Sequence, residues 1–160
     1  MTKRKSFLYN PITETMMKKI FFAIACVFAL TTSACADNYQ PVYQDQLPEK
    51  AQVFLSTYFP EAEISLARKE VDVMEVTYDV VFADGSKVEF DRKGNWTEVD
   101  CIGRPLPEGI VPDAIGKVVN AHYPEAKVTK IERDGHEMDV TLDNRAELTF
   151  DKHFKLVDID

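Results

Sequence analysis

One pattern is written twice between residues 47 and 160. Leu47-Pro48-Glu49 and Phe59-Pro60-Glu61-Ala62 return 64 residues later as Val111-Pro112-Asp113 and Tyr123-Pro124-Glu125-Ala126. The same offset matches Met74 with Met138, Val76 with Val140, Thr77 with Thr141 and Asp79 with Asp143. From Phe90-Asp91 and Phe150-Asp151 onward, through Asp100 and Asp160, the offset is 60. One hairpin is therefore expected to be four residues shorter in the second copy, with Asn144-Arg145 standing where the first has Asp84-Gly85. Two copies are too few for a solenoid, so they are expected to pack into one domain.

Each copy opens as a helix. Pro48 and Pro112 suit a first turn, where a missing N–H costs nothing, and Glu49 and Asp113 suit the positive end of the helix dipole. Ala51, Phe54, Leu55 and Tyr58 recur at helical spacing, matched by Ile115, Val118, Val119 and His122, which places His122 on the buried stripe. Pro60 and Pro124 end the helices. Strands are expected next, at 64–69 and 128–132. A long alternating strand follows at 73–82, in which Met74, Val76, Tyr78, Val80 and Phe82 share one face. Asp84-Gly85 is a hairpin signal. Val88 and Phe90, with Leu148 and Phe150, supply the return strands, and Lys93-Gly94-Asn95 turns into a strand at 96–99. The sequence thus reads as an α+β fold in which two tandem helix-plus-antiparallel-sheet repeats form a two-layer α/β sandwich. The repeats are 47–100 and 111–160, joined by a linker at 101–110 that is rich in Gly and Pro.

Residues 1–36 stand apart. Lys18-Lys19 precedes an apolar run from Ile20 to Leu30, and the small residues 31–36 follow, which reads as a secretory signal starting at Met17 after an upstream extension. The run is too short to leave a transmembrane span. Cleavage after Ala34-x-Ala36 gives a free periplasmic chain; reading Thr32-Ser33-Ala34-Cys35 as a lipobox gives a lipoprotein anchored through Cys35. Residues 37–46 are expected to be a flexible leader. The signal segment holds five Lys/Arg and one acid, so its loss takes the net charge from −8 to −12. Such a chain is repelled by nucleic acid and anionic lipid, and basic partners or cations are its counterparts. Cys101 is then the one cysteine left, expected to be half-buried or paired with another chain.

The order Leu-Pro, Phe-Pro-Glu-Ala, a long strand, Asp84-Gly85, Phe90-Asp91 and Gly94-Asn95-Trp96 resembles the PepSY-like, β-lactamase-inhibitor-like periplasmic proteins of Bacteroidetes. The resemblance covers about residues 45–160. The second copy departs at its turns, where Phe154 replaces Gly94. What the resemblance implies is a fold in which helices lie on an antiparallel sheet. It also implies a non-catalytic role in binding an extracytoplasmic protein, as an inhibitor or regulator of an enzyme such as a peptidase. It carries no contact residues onto this chain.

No catalytic constellation stands out among the three histidines, His122, His136 and His153, and no metal-ligand spacing occurs. The sheet phase gives one candidate instead. If Met74, Val76, Val88 and Phe90 face the helices, then Glu75, Asp79, Glu89 and Asp91 point outward, as do Asp139, Asp143, Glu147 and Asp151. Asp79, Glu89, Asp91 and Asp143 are the carboxylates that a Ca²⁺ or small-ligand sensor would use, since Ca²⁺ takes several oxygens. The same carboxylates suit a basic protein patch. Trp96 is expected in the core and Phe154 at an exposed turn. A monomer or weak homo-oligomer is expected.

Overall fold

The computed structural model describes residues 39–73 and 75–160. The upstream extension, the signal segment and its two alternative cleavage sites lie outside the described residues.

Among the described residues, nine strands form one antiparallel sheet in which every strand pairs with its neighbours in sequence. They are β1 (Tyr39–Pro41), β2 (Ile64–Val71), β3 (Val76–Phe82), β4 (Lys87–Asp91), β5 (Trp96–Asp100), β6 (Val128–Asp134), β7 (Glu137–Leu142), β8 (Glu147–Asp151) and β9 (Leu156–Ile159). Helix α1 (Glu49–Tyr58) precedes β2 and helix α2 (Asp113–His122) precedes β6, so the order helix then four strands occurs twice. Pro48 and Pro112 cap the two helices, and the chain leaves them at Phe59 and Tyr123, just ahead of Pro60 and Pro124.

Alternation in the strands and helical spacing in α1 and α2 meet in one core. Ala51 and Leu55 of α1 and Ile115 and Val119 of α2 are buried with Val80, Val88, Phe90, Val99, Ile131, Val140, Leu148 and Phe150 of the sheet. Phe54 sets its ring edge-on to Phe90 at 5.7 Å, and Phe59 stacks on Phe82 at 4.9 Å. The pairing of β5 with β6 (Val99 opposite Ile131) carries the sheet across the linker.

The structure corrects four expectations. The four-residue shortening lies in the β2–β3 hairpin, not at Asp84-Gly85. Ala67 pairs with Val80 and Ile131 with Val140, so the offset has already fallen to 60 in β3 and β7. Six residues separate Glu70 from Thr77, whereas Gly135 and His136 alone separate Asp134 from Glu137. The next turns are alike, with a left-handed residue at Gly85 (φ 86°) in one and at Arg145 (φ 73°) in the other. Asp79 therefore holds in β3 the position that Asp139 holds in β7, while Asp143 lies beyond the end of β7. Second, Tyr39–Pro41, assigned to the leader, is an edge strand along β2; the Arg68 guanidinium lies 4.0 Å from the Tyr39 ring centre. Third, the long strand begins at Val76, because Val73 projects from the hairpin tip, 96 % exposed. Fourth, His122 is exposed at the end of α2, its Nδ1 3.0 Å from the Val118 carbonyl.

Candidate functional site

Both helices contribute to the core on one face of the sheet. The alternate residues of each strand therefore form a second face on which neither helix packs; at its β2–β3 end Asp79 is 6 % exposed, held against Arg68. The registers order this face into rows. Arg68 of β2 is opposite Asp79 of β3, Asp79 opposite Glu89 of β4, and Glu89 opposite Glu98 of β5. Glu98 is opposite Glu132 of β6, and Glu132 opposite Asp139 of β7. Five carboxylates thus stand side by side across five strands, in steps of about 4.8 Å. Like charges directly opposite each other are unfavourable. Thr149 of β8 and Asp158 of β9 continue the row.

Three cations offset this charge. The Arg68 Nε donates to Asp79 Oδ2 at 2.7 Å, and that bond raises the already high Arg68 pKa. Lys87 lies 3.3 Å from Glu89 and 3.6 Å from Glu98; Lys130 lies 2.8 Å from Glu132 and 3.7 Å from Glu98. Partial burial by itself lowers a lysine pKa, but Glu98 with Glu89 at Lys87, and Glu132 with Glu98 at Lys130, outweigh it and raise both. Glu98 is thus shared by the two lysines at the seam between the halves. The Thr149 hydroxyl donates to Asp139 at 2.6 Å. Beside the Arg68–Asp79 end, Leu66 pairs with Val81 on the same face, and Leu66 is 42 % exposed.

The four carboxylates singled out in the sequence are only partly brought together. Asp79 and Glu89 are cross-strand partners, and Asp91 is one pair further along the same face, opposite Thr77. Asp91 caps its own turn: it accepts the N–H groups of Lys93 (2.8 Å) and Asn95 (2.9 Å) and the Asn95 amide (2.8 Å). Partial burial pushes its pKa up, and these bonds more than reverse the push, leaving it below the usual value. Asp151 does the same with His153 and Lys155. Asp143 lies in the β7–β8 hairpin, exposed, accepting the Lys127 N–H at 3.2 Å. Among the described residues, no three His, Cys, Asp or Glu side chains converge as a metal centre requires. Glu98 and Glu132 were missed as site residues because their pairing spans the linker and α2; no local signal in the sequence reports it.

Trp96 is half-buried on the core side, with the Arg133 guanidinium 3.6 Å from its ring centre; burial lowers the Arg133 pKa. Cys101 is more buried than expected, 1 % exposed, and burial pushes its thiol pKa up, which leaves it a poor thiolate. Phe154 occupies an exposed turn at φ 60°. Among the described residues, no helix is long and apolar enough to cross a membrane.

The family described as "Putative beta-lactamase-inhibitor-like, PepSY-like" matches residues 76–158. A crystal structure from Bacteroides vulgatus, named "putative periplasmic protein", is 47 % identical, covers 78 % of this chain and 98 % of its own, and superposes with a TM-score of 0.76. A Bacteroides thetaiotaomicron structure named "putative calcium-regulated periplasmic protein" is 48 % identical, with coverage of 78 % and 98 % and a TM-score of 0.75. A second Bacteroides vulgatus structure, named a periplasmic protein of unknown function, is 31 % identical, with coverage of 76 % and 98 % and a TM-score of 0.72. No curated protein matches the chain.

Proposed function

Because the chain belongs to the β-lactamase-inhibitor-like, PepSY-like family, we propose that it is an exported, non-enzymatic protein-binding module that inhibits or regulates an extracytoplasmic enzyme such as a peptidase. In this reading the two helix-and-four-strand units are tandem copies forming a two-layer sandwich, and a secretory signal delivers the chain to the periplasm. The observation that carries it is the polar sheet face on which neither helix packs. Its charged side chains are held in place by Arg68, Lys87 and Lys130, and a preorganised face costs less to dock than a mobile one. The test is capture of an enzyme from periplasmic extract on immobilised 37–160, followed by turnover of that enzyme with increasing amounts of the chain. Saturable loss of turnover at one-to-one stoichiometry supports inhibition; retention of no enzyme overturns the module reading.

Calcium sensing is the second reading, favoured by the description of the 48 % identical Bacteroides thetaiotaomicron relative as calcium-regulated. Asp79 and Glu89, adjacent across β3 and β4, would share the ion, with Asp91 next along the face; Asp79 is 6 % exposed and bonded to Arg68, which the ion would have to displace. Water would complete the shell. Asp143, on a different hairpin, would act apart from them. A ligand that binds only the folded chain raises its melting temperature by mass action. A rise of several degrees between EDTA and millimolar Ca²⁺, abolished by Asp79→Asn with Asp143→Asn, supports the reading. An unchanged melt removes it.

A further inference from the structure

We propose that the outer edge of β9 docks β2 of a second copy of this chain, and that β1 is the plug that holds β2 until it is displaced. The proposal concerns the two ends of the sheet and goes beyond the module reading, so capture of an enzyme neither supports nor sinks it.

The seam inside the molecule supplies the template. β5 and β9 lie on their inner neighbours in the same way. Val88 pairs with Val99 and Phe90 with Trp96, as Leu148 pairs with Ile159 and Phe150 with Leu156, and the register shifts at the same point in each. β2 and β6 also lie alike, with Ala67 opposite Val80 and Ile131 opposite Val140. The outer edge of β5 is filled by β6, which sets Val99 opposite Ile131. No described strand fills the outer edge of β9. One position records the difference: Val99 is 0 % exposed and Ile159 is 38 % exposed.

The backbone of β9 is ready to pair. Glu147 and Asp160 exchange both backbone bonds at 3.0 Å. Bonded and non-bonded pairs alternate along an antiparallel ladder, so the N–H and C=O of Ile159 point away from β8, toward the free edge. Val157, two residues back, is exposed as well. The strand is Leu-Val-Asp-Ile and carries neither the Pro nor the Lys that commonly guards an edge.

β2 is the matching surface. On its outer edge the Ala67 carbonyl accepts the Val42 N–H at 2.9 Å, and Pro41 is opposite Arg68. Val42 therefore stands on β2 where Val99 stands on β6. β1 is a weak occupant: three residues, all exposed, one of them a proline with no N–H to give. Docked in the register of the seam, β9 sets Ile159 opposite Ala67 and Asp158 opposite Arg68. The second pair joins opposite charges, whereas the seam itself sets Glu98 opposite Glu132. Because β1 is tethered to β2, it rebinds at high effective concentration, and docking appears only as the chain is concentrated. The contact joins unlike surfaces, so it does not close on a pair. It propagates into an open file of copies that share one continuous sheet.

The test is the mass of 37–160 by sedimentation over rising concentration, for the wild type and two variants. Gln40→Cys with Lys69→Cys ties β1 to β2 at a cross-strand pair; the two Cα atoms of such a pair stand about 5.5 Å apart, within disulfide range. Cys101 is buried and out of reach of this bond. Ile159→Pro removes the outward N–H and leaves the bonds to β8 in place, a substitution that an edge strand tolerates. A melt verifies that both variants fold. The wild-type mass is expected to climb past that of a dimer. The oxidised double variant is expected to stay monomeric at every concentration and to regain assembly on reduction, and Ile159→Pro to stay monomeric in either condition. A wild type that remains monomeric throughout overturns the proposal. So does a mass that stops at the dimer, the mark of β9 pairing with another β9, and so does assembly that persists with β1 locked.

Discussion

At the residue scale, Gly94 and Phe154 show how one backbone geometry is met in two ways. Gly94 sits at φ 78° in the β4–β5 turn, and a Cβ there would come within 2.8 Å of the Pro48 Cβ and 2.9 Å of the Ala51 amide. The turn is thus pressed against the start of α1, where Lys50 also donates to the Asn95 side chain at 3.0 Å. Phe154 adopts the same left-handed conformation at φ 60° in the β8–β9 turn, a conformation that costs a side chain about 1–2 kcal/mol. Gly94→Ala meets both the left-handed penalty and the clash. It is expected to cost about 2 kcal/mol or more, a fall in melting temperature of roughly 6–12 °C. An unchanged melt would mean that α1 shifts freely off the turn. The sequence registered this difference as a departure in the second copy; the contact behind the glycine became visible only with the helix in place.

At the element scale, β1 shows what sequence patterns miss. Tyr-Gln-Pro has no alternation to read, and its place is set by the outer edge of β2, which it covers through Arg68, Lys69 and Glu70. Without β1, an eight-residue strand would present an unpaired edge, a template for association with other chains. A chain beginning at Tyr43 is therefore expected to melt lower than one beginning at Asp37. It should also show a concentration-dependent mass by light scattering, and a constant monomer mass would refute the protective role. The elements that were legible, α1, α2 and the strands around Val80, Phe90, Val140 and Phe150, carry their own periodicity and terminating prolines. The location of the shortened hairpin was not legible. Val76, Thr77 and Asp79 match Val140, Thr141 and Asp143 by composition at the wrong offset, and only pairing to Ala67 and Ile131 fixes the true one.

At the scale of the whole molecule, the seam between β5 and β6 decides how the halves behave. Val99 and Ile131 are fully buried there, and Arg133 of β6 lies over Trp96 of β5. Tryptophan fluorescence therefore reports on the seam and far-ultraviolet circular dichroism on the sheet. The two are expected to give one coincident thermal transition; separated transitions would show halves that unfold independently. The candidate site belongs to this scale as well. Its carboxylates were legible singly, as outward positions of individual strands, but the row exists only through pairing that crosses the linker. The sequential strand order has a kinetic consequence. Each strand closes on the one made just before it, so loop-closure costs stay small and no segment waits for a distant mate. The long connection, from Asp100 to Val128, brings its own helix with it. A chain delivered from one end can therefore zip up in order of arrival, its first half already roofed by α1 before the second half appears.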